Sequence, residues 1–81
     1  MVDPFTPQDR DRLHSDLLVA HEAADLNTLV ALYRKAAETA NDAGSSDRAA
    51  FYLTHAMVFA LEAGHPDAEG IRAQLRSQGR A

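Results

Sequence analysis

One stretch in the middle of the chain is apolar almost without interruption. Between Ala49 and Leu61 only Thr54 and His55 are polar. A helix that is apolar around its whole circumference has no side that favours water, so this segment is expected to be the central, buried helix of the fold. No strand-like alternation of useful length occurs elsewhere in the chain. The pattern therefore predicts an all-α protein.

Helix start and stop signals divide the chain into four helices. Thr6 followed by Pro7 supplies an N-cap and a first helical residue. Gly44 suits a left-handed helix end, and Gly64 with Pro66 separates the last two helices. The predicted helices cover about residues 7–24, 27–43, 46–63 and 66–78.

The links between the predicted helices are short, and the sequence signals for a helix end are weakest at the first link. Asp25 or Asn27 can cap the second helix, but no glycine or proline enforces a break, so one long bent helix is the alternative there. Links of two or three residues leave successive helices antiparallel. The facing positions of the second and third helices are mostly alanine, which favours close approach of their axes. We expect a single domain over residues 1–81, an antiparallel bundle of about four helices.

Composition and charge narrow the class of protein. Apolar residues make up 46% of the chain and charged residues 25%, an ordinary globular mixture. The net charge of −4 argues against a general attraction to nucleic acid or to anionic membranes. The chain has no cysteine, which excludes disulfides and thiolate metal sites. The first residues lack a secretory pattern, and the longest apolar run, Ala56–Leu61, is too short to cross a bilayer, so we expect a cytoplasmic protein.

Candidate chemistry is sparse. The chain contains none of the glycine-rich phosphate loops or the nucleophile motif Gly-x-Ser-x-Gly, so we expect a protein that is not an enzyme and needs no cofactor. The alternative class is a small metal-dependent helical protein in which His14, His21 and Asp25, spaced along one helix face, bind a divalent ion. A basic stripe near the end of the chain consists of Arg72, Arg76 and Arg80. It fits a solvated helix end better than a nucleic-acid site.

Residues with a characteristic spacing run through the second and third predicted helices. They are an aromatic residue, several small residues, a turn glycine and a leucine, namely Tyr33, Ala36, Ala37, Ala40, Gly44, Ala49, Leu53 and Ala56. This spacing resembles the tetratricopeptide repeat, a helix–turn–helix unit of about 34 residues. Such repeats present a groove to a peptide or a protein, so the resemblance implies binding rather than catalysis. The carboxylate-clamp variants are not matched, since Glu38 lies one turn after Arg34 and Lys35.

The third helix has more apolar surface than a helical hairpin can cover. If its alanines face the second helix, then Phe51, His55, Val58 and Glu62 form a separate strip. Either the flanking helices cover this strip or another protein chain does. We expect a small adaptor or regulator that binds another protein or forms a homodimer. The residues expected to bind the partner are Tyr33, Phe51, His55 and Val58.

Overall fold

The computed structural model describes residues 6–79 and confirms an all-α fold. Four helices follow one another, α1 (Pro7–Glu22), α2 (Leu26–Asp42), α3 (Ser46–Ala63) and α4 (Ala68–Ser77), and the described residues contain no strand. No helix in this part of the chain combines the length and apolar character needed to cross a membrane. The ends of the predicted domain, residues 1–5 and 80–81 with Arg80, lie outside the described residues.

The junction between α1 and α2 is a genuine break in the helix. α1 ends two residues earlier than predicted, and Ala24 adopts a left-handed conformation with φ of 52°. Asp25 then caps α2, because its carboxylate accepts a hydrogen bond from the backbone N–H of Thr28 at 3.2 Å. Asn27 lies inside α2. The chain therefore forms two helices here, as an ordinary alanine takes the conformation that glycine usually supplies.

The turn between α3 and α4 also departs slightly from the prediction. Gly64 ends α3 in a left-handed conformation with φ of 64°, as expected for a C-cap. α4 begins at Ala68 instead of residue 66. The backbone N–H of Asp67 donates to the Nδ1 atom of His65 at 3.0 Å, which holds residues 65–67 in a turn before the helix starts.

α2 and α3 form the closest pair of helices. The residues between them are mostly small and are at most 3% exposed, namely Ala36, Ala37 and Ala40 on α2 with Ala49, Ala56 and Ala60 on α3. Small side chains let the two helix axes approach, as predicted. The larger core residues lie around this contact, with Leu29 and Val30 on α2, Leu53 on α3, and Ile71 and Leu75 on α4.

The helices spread into a flat body instead of enclosing α3. The Cα positions extend 34 Å by 32 Å but only 12 Å in the third direction. α1 packs along α2, and α4 packs along α3. Arg34 on α2 and Asp67, just before α4, are joined by an ion pair with 2.9 Å between Nη1 and Oδ2. The neighbours of α3 therefore cover only part of it. Of the two alternatives for its apolar strip, coverage by the flanking helices does not hold for Phe51 and Val58.

Candidate functional site

One side of α3 carries large side chains that the other three helices of residues 6–79 leave largely exposed. We call this surface the α3 outer face, and it consists of Phe51, Thr54, His55, Val58, Leu61 and Glu62. Phe51 is 58% exposed, Val58 43% and Leu61 49%, although a folded monomer gains by burying such side chains. They recur at spacings of seven and three residues, which aligns them along one line of the helix. The α3 outer face is a contiguous apolar strip open to solvent.

The opposite side of the same helix is closed. Ala49, Leu53, Ala56 and Ala60 are buried against the rest of the domain, and each is at most 2% exposed. α3 therefore has its small residues facing the core, and several of its bulky residues face outward. Ala63, the last residue of α3, is exposed.

Two polar side chains of the α3 outer face bond to their own helix. The Oγ1 atom of Thr54 donates to the carbonyl oxygen of Ala50 at 2.8 Å. The Nδ1 atom of His55 lies 2.9 Å from the carbonyl oxygen of Phe51 and therefore donates to it, because a carbonyl can only accept. These two donors already have a partner, so covering them leaves them satisfied, whereas the Nε2 atom of His55 and the carboxylate of Glu62 need a partner or water.

A continuous row of rings supports the outer face from below. Ring centroids lie 4.5 Å apart between Phe51 and His55, and 5.1 Å apart between His55 and Tyr33. The row continues from Tyr33 to Phe59 at 5.8 Å, and from Phe59 to His21 of α1 at 5.4 Å in an edge-to-face contact. Stacked and edge-to-face aromatic pairs of this kind hold rings in fixed orientations. The exposed ring of Phe51 is thereby anchored to α2 and α1.

Tyr33 belongs to this support and not to the exposed surface. It is only 9% exposed, which corrects the expectation that it presents its ring to a partner. Burial raises the pKa of Tyr33, and the neighbouring phenol of Tyr52 raises it further. The physical reason is the closeness of α2 and α3, which places the Tyr33 ring between His55 and Phe59 of α3.

The three candidate metal ligands have separate surroundings. His14 is exposed on α1, and the ring of His21 packs against Phe59. The carboxylate of Asp25 accepts from the hydroxyl of Thr28 at 2.6 Å and from its backbone N–H, and these bonds lower the pKa of Asp25. Within residues 6–79 no group of three or more histidines and carboxylates is placed to hold a metal ion. Asp25 has a structural role as a helix cap.

Two residues of the outer face were missed from the sequence. Thr54 and Leu61 extend the strip marked by Phe51 and Val58, and the four residues together follow a spacing of three, four and three. That spacing is the sequence signal for these residues, because the apolar positions of a two-helix coiled coil have the same spacing.

Comparison of the chain with protein-family models, curated proteins and solved structures found no match.

Proposed function

We propose that this protein is a small, non-enzymatic interaction module of the cytoplasm that binds protein through the α3 outer face. In this proposal the α2–α3 hairpin is a tetratricopeptide-like unit that holds the binding helix in place. The observation that carries the proposal is the row of three large, exposed apolar side chains, Phe51, Val58 and Leu61, on one line of α3. Contiguous apolar strips of this kind on a small protein mark interaction sites.

The surface has the physical properties that binding requires. Burial of apolar area contributes roughly 25 cal/mol per Å². The hydroxyl of Thr54 and the Nδ1–H of His55 are already bonded within the helix, so covering these two donors breaks no hydrogen bond to water. The ring contacts from Phe51 through His55 to Tyr33 order the surface before a partner arrives. Ordering in advance reduces the entropy that binding would otherwise cost.

Site-specific photo-crosslinking in the native cell tests this proposal. A photoreactive phenylalanine analogue is placed at Leu61 on the outer face, and in a matched chain at Val19, which is 66% exposed on α1. Both positions are apolar and open, so they differ mainly in location. We expect a discrete covalent adduct with a protein chain from position 61 and a much weaker yield from position 19, measured by gel shift and mass spectrometry.

Two results would count against the proposal. Equal adduct yields from the two positions would mean that the α3 outer face has no special role. A chain that carries the photoreactive group at position 61 and forms no adduct in cells would mean that this surface stays uncovered.

A further inference from the structure

We propose that the occupant of the α3 outer face is a second copy of this chain, bound through an antiparallel pairing of the two α3 helices about a two-fold axis beside Ala56. This inference rests on the proposed function and names its partner. Two features of α3 carry it, namely the spacing of its exposed residues and the charges along one flank.

The exposed residues of α3 follow the spacing of a helix-pairing seam. Phe51, Thr54, Val58 and Leu61 are separated by three, four and three residues. Residues with this alternation form a nearly straight line along a helix and interlock with an equivalent line on a second helix. α3 is also long enough for such a pairing, because its 18 residues make a rod of about 27 Å.

The order of residues in the seam is complementary to its own reverse. With the axis beside Ala56, Phe51 of one copy lies level with Leu61 of the second copy, and Thr54 lies level with the second copy's Val58. The two end layers each join an aromatic to an aliphatic side chain, and the two middle layers each join two β-branched side chains. Any seam of this spacing can pair with its own reverse, so these layers show that a second copy fits the surface, and the charges along one flank are what favour it.

Charge on one flank favours the antiparallel direction. Arg48 and Glu62 lie on the same side of the seam as His55. In the antiparallel pair, the flank with Arg48 and Glu62 in one copy faces the same flank in the second copy. Along the helix axis, Arg48 of one copy and Glu62 of the second copy are then offset by only about 3 Å. In a parallel pair this flank would face Ala50 and Met57, which carry no charge. Opposite charges across a seam select partner and direction.

The size of the interface sets the expected strength of the dimer. One helix from each copy forms a contact at the small end of the range for specific interfaces. A dissociation constant in the micromolar range is therefore expected. The average mass in solution should rise, over a micromolar concentration series, from that of one chain, 8.8 kDa, toward twice that value.

Sedimentation equilibrium on matched variants tests the surface. Val58→Glu is expected to weaken association at least a hundredfold, because it places carboxylates in the apolar seam of both copies. Val19→Glu makes the same substitution at an exposed position of α1 and should leave association unchanged. Circular dichroism checks that both variants keep their helices. A dimer that survives Val58→Glu would overturn the inference.

Charge reversal tests the flank. Arg48→Glu and Glu62→Arg should each weaken the dimer several-fold, and the double variant should recover most of the loss, because the opposite charges then face each other again. Arg48 also takes part in an interaction within its own chain, which its reversal disturbs. Glu62 lies fourteen residues further along the same helix, about 21 Å away, so its reversal does not restore that interaction. Recovery in the double variant therefore reports the contact between copies. A double variant weaker than either single variant would overturn the pairing.

Cysteine trapping tests direction and register in a chain that has no cysteine of its own. Phe51→Cys chains mixed with Leu61→Cys chains should form a disulfide-linked dimer under mild oxidation, because residues at the same level of facing helices come within disulfide reach. Each variant alone should crosslink poorly, because its two cysteines are about 15 Å apart along the axis. Efficient crosslinking of either variant alone would show a parallel pair and overturn the inference.

Failure of this inference can be told from failure of the proposed function. A chain that stays monomeric throughout the series, while position 61 still crosslinks to a different protein in cells, would overturn the homodimer and keep the binding role. A monomeric chain that forms no adduct at position 61 would overturn both.

Discussion

The two sides of α3 use the same helix for opposite purposes. The side toward α2 is built from alanine, and Ala49, Ala56 and Ala60 are completely buried. The outward side carries Phe51 and Val58, which are about half exposed. Small side chains on the inner side let the backbones of α2 and α3 approach each other. Large side chains on the outer side keep exposed apolar area that another surface can bury. Stability and recognition are thus separated around one helix, and substitutions on each side should show it.

Shortening a leucine should have the largest effect, and only on the inner side. Leu53→Ala is expected to lower the free energy of unfolding by about 2–5 kcal/mol, because Leu53 is almost fully buried and its loss leaves a cavity. In a domain of this size that is a large fraction of the total stability. Leu61→Ala, the same change on the outer face, should move the unfolding free energy by no more than about 0.5 kcal/mol.

Urea denaturation of dilute protein measures both leucine variants under conditions that favour the monomer. Equal losses from Leu53→Ala and Leu61→Ala would mean that the outer face already contributes to the stability of the single chain. The contrast between the two sides of α3 would then be wrong.

Enlarging an alanine should have the next largest effect. Ala56→Leu is expected to cost about 1–3 kcal/mol, because the close contact of α2 and α3 leaves no room for the added atoms. Ala63→Leu is the matched change at an exposed position near the end of the same helix, and it should be nearly neutral, since alanine and leucine have similar helix propensities. Thermal unfolding followed by circular dichroism compares the two. A stable Ala56→Leu protein would mean that the hairpin contact is loose.

Local signals in the sequence were enough for the helices and for their closest contact. Gly44 follows α2 in the left-handed conformation, with φ of 78°, that its place in the sequence predicted. The alanines of α2 and α3 meet as their spacing indicated. The sequence prediction ended α1 two residues too late. Ala24 takes a left-handed conformation there, and an alanine side chain gives no sequence signal for that conformation. Helix ends set by the cap of the next helix, here Asp25, are less visible than ends set by glycine.

The exposure of residues on α3 depended on information that one helix does not contain. Apolar periodicity shows which residues avoid water but not which neighbour covers them. The sequence pattern of α3 fits a helix enclosed by three others as well as it fits a helix with one open side. The outer face of α3 is open because α1 docks along α2. For the same reason Phe51 and Val58 were placed correctly on an open strip, whereas Tyr33, which α3 covers, was not.

The smallest expected effect concerns Tyr33, which lies between the two sides of α3. Burial, with a further contribution from Tyr52, raises the pKa of Tyr33 above its ordinary value near 10. The folded state therefore holds this proton more tightly than the unfolded state does. The corresponding stability is fully present below about pH 10 and is lost as the pH rises through the pKa of the folded state.

Tyr33→Phe isolates this contribution, because it keeps the ring that stacks between His55 and Phe59 and removes the ionisable group. The loss of unfolding free energy between about pH 9 and pH 11 should be greater in the unsubstituted protein than in the variant, as measured by urea denaturation at each pH. Groups that do not interact with Tyr33 act equally on both proteins and cancel in the difference, and the mutual effect of Tyr33 and Tyr52 is part of the contribution measured. Identical pH profiles would mean that water reaches the Tyr33 phenol freely, and the ring row would then be too open to hold Phe51 in place for a partner.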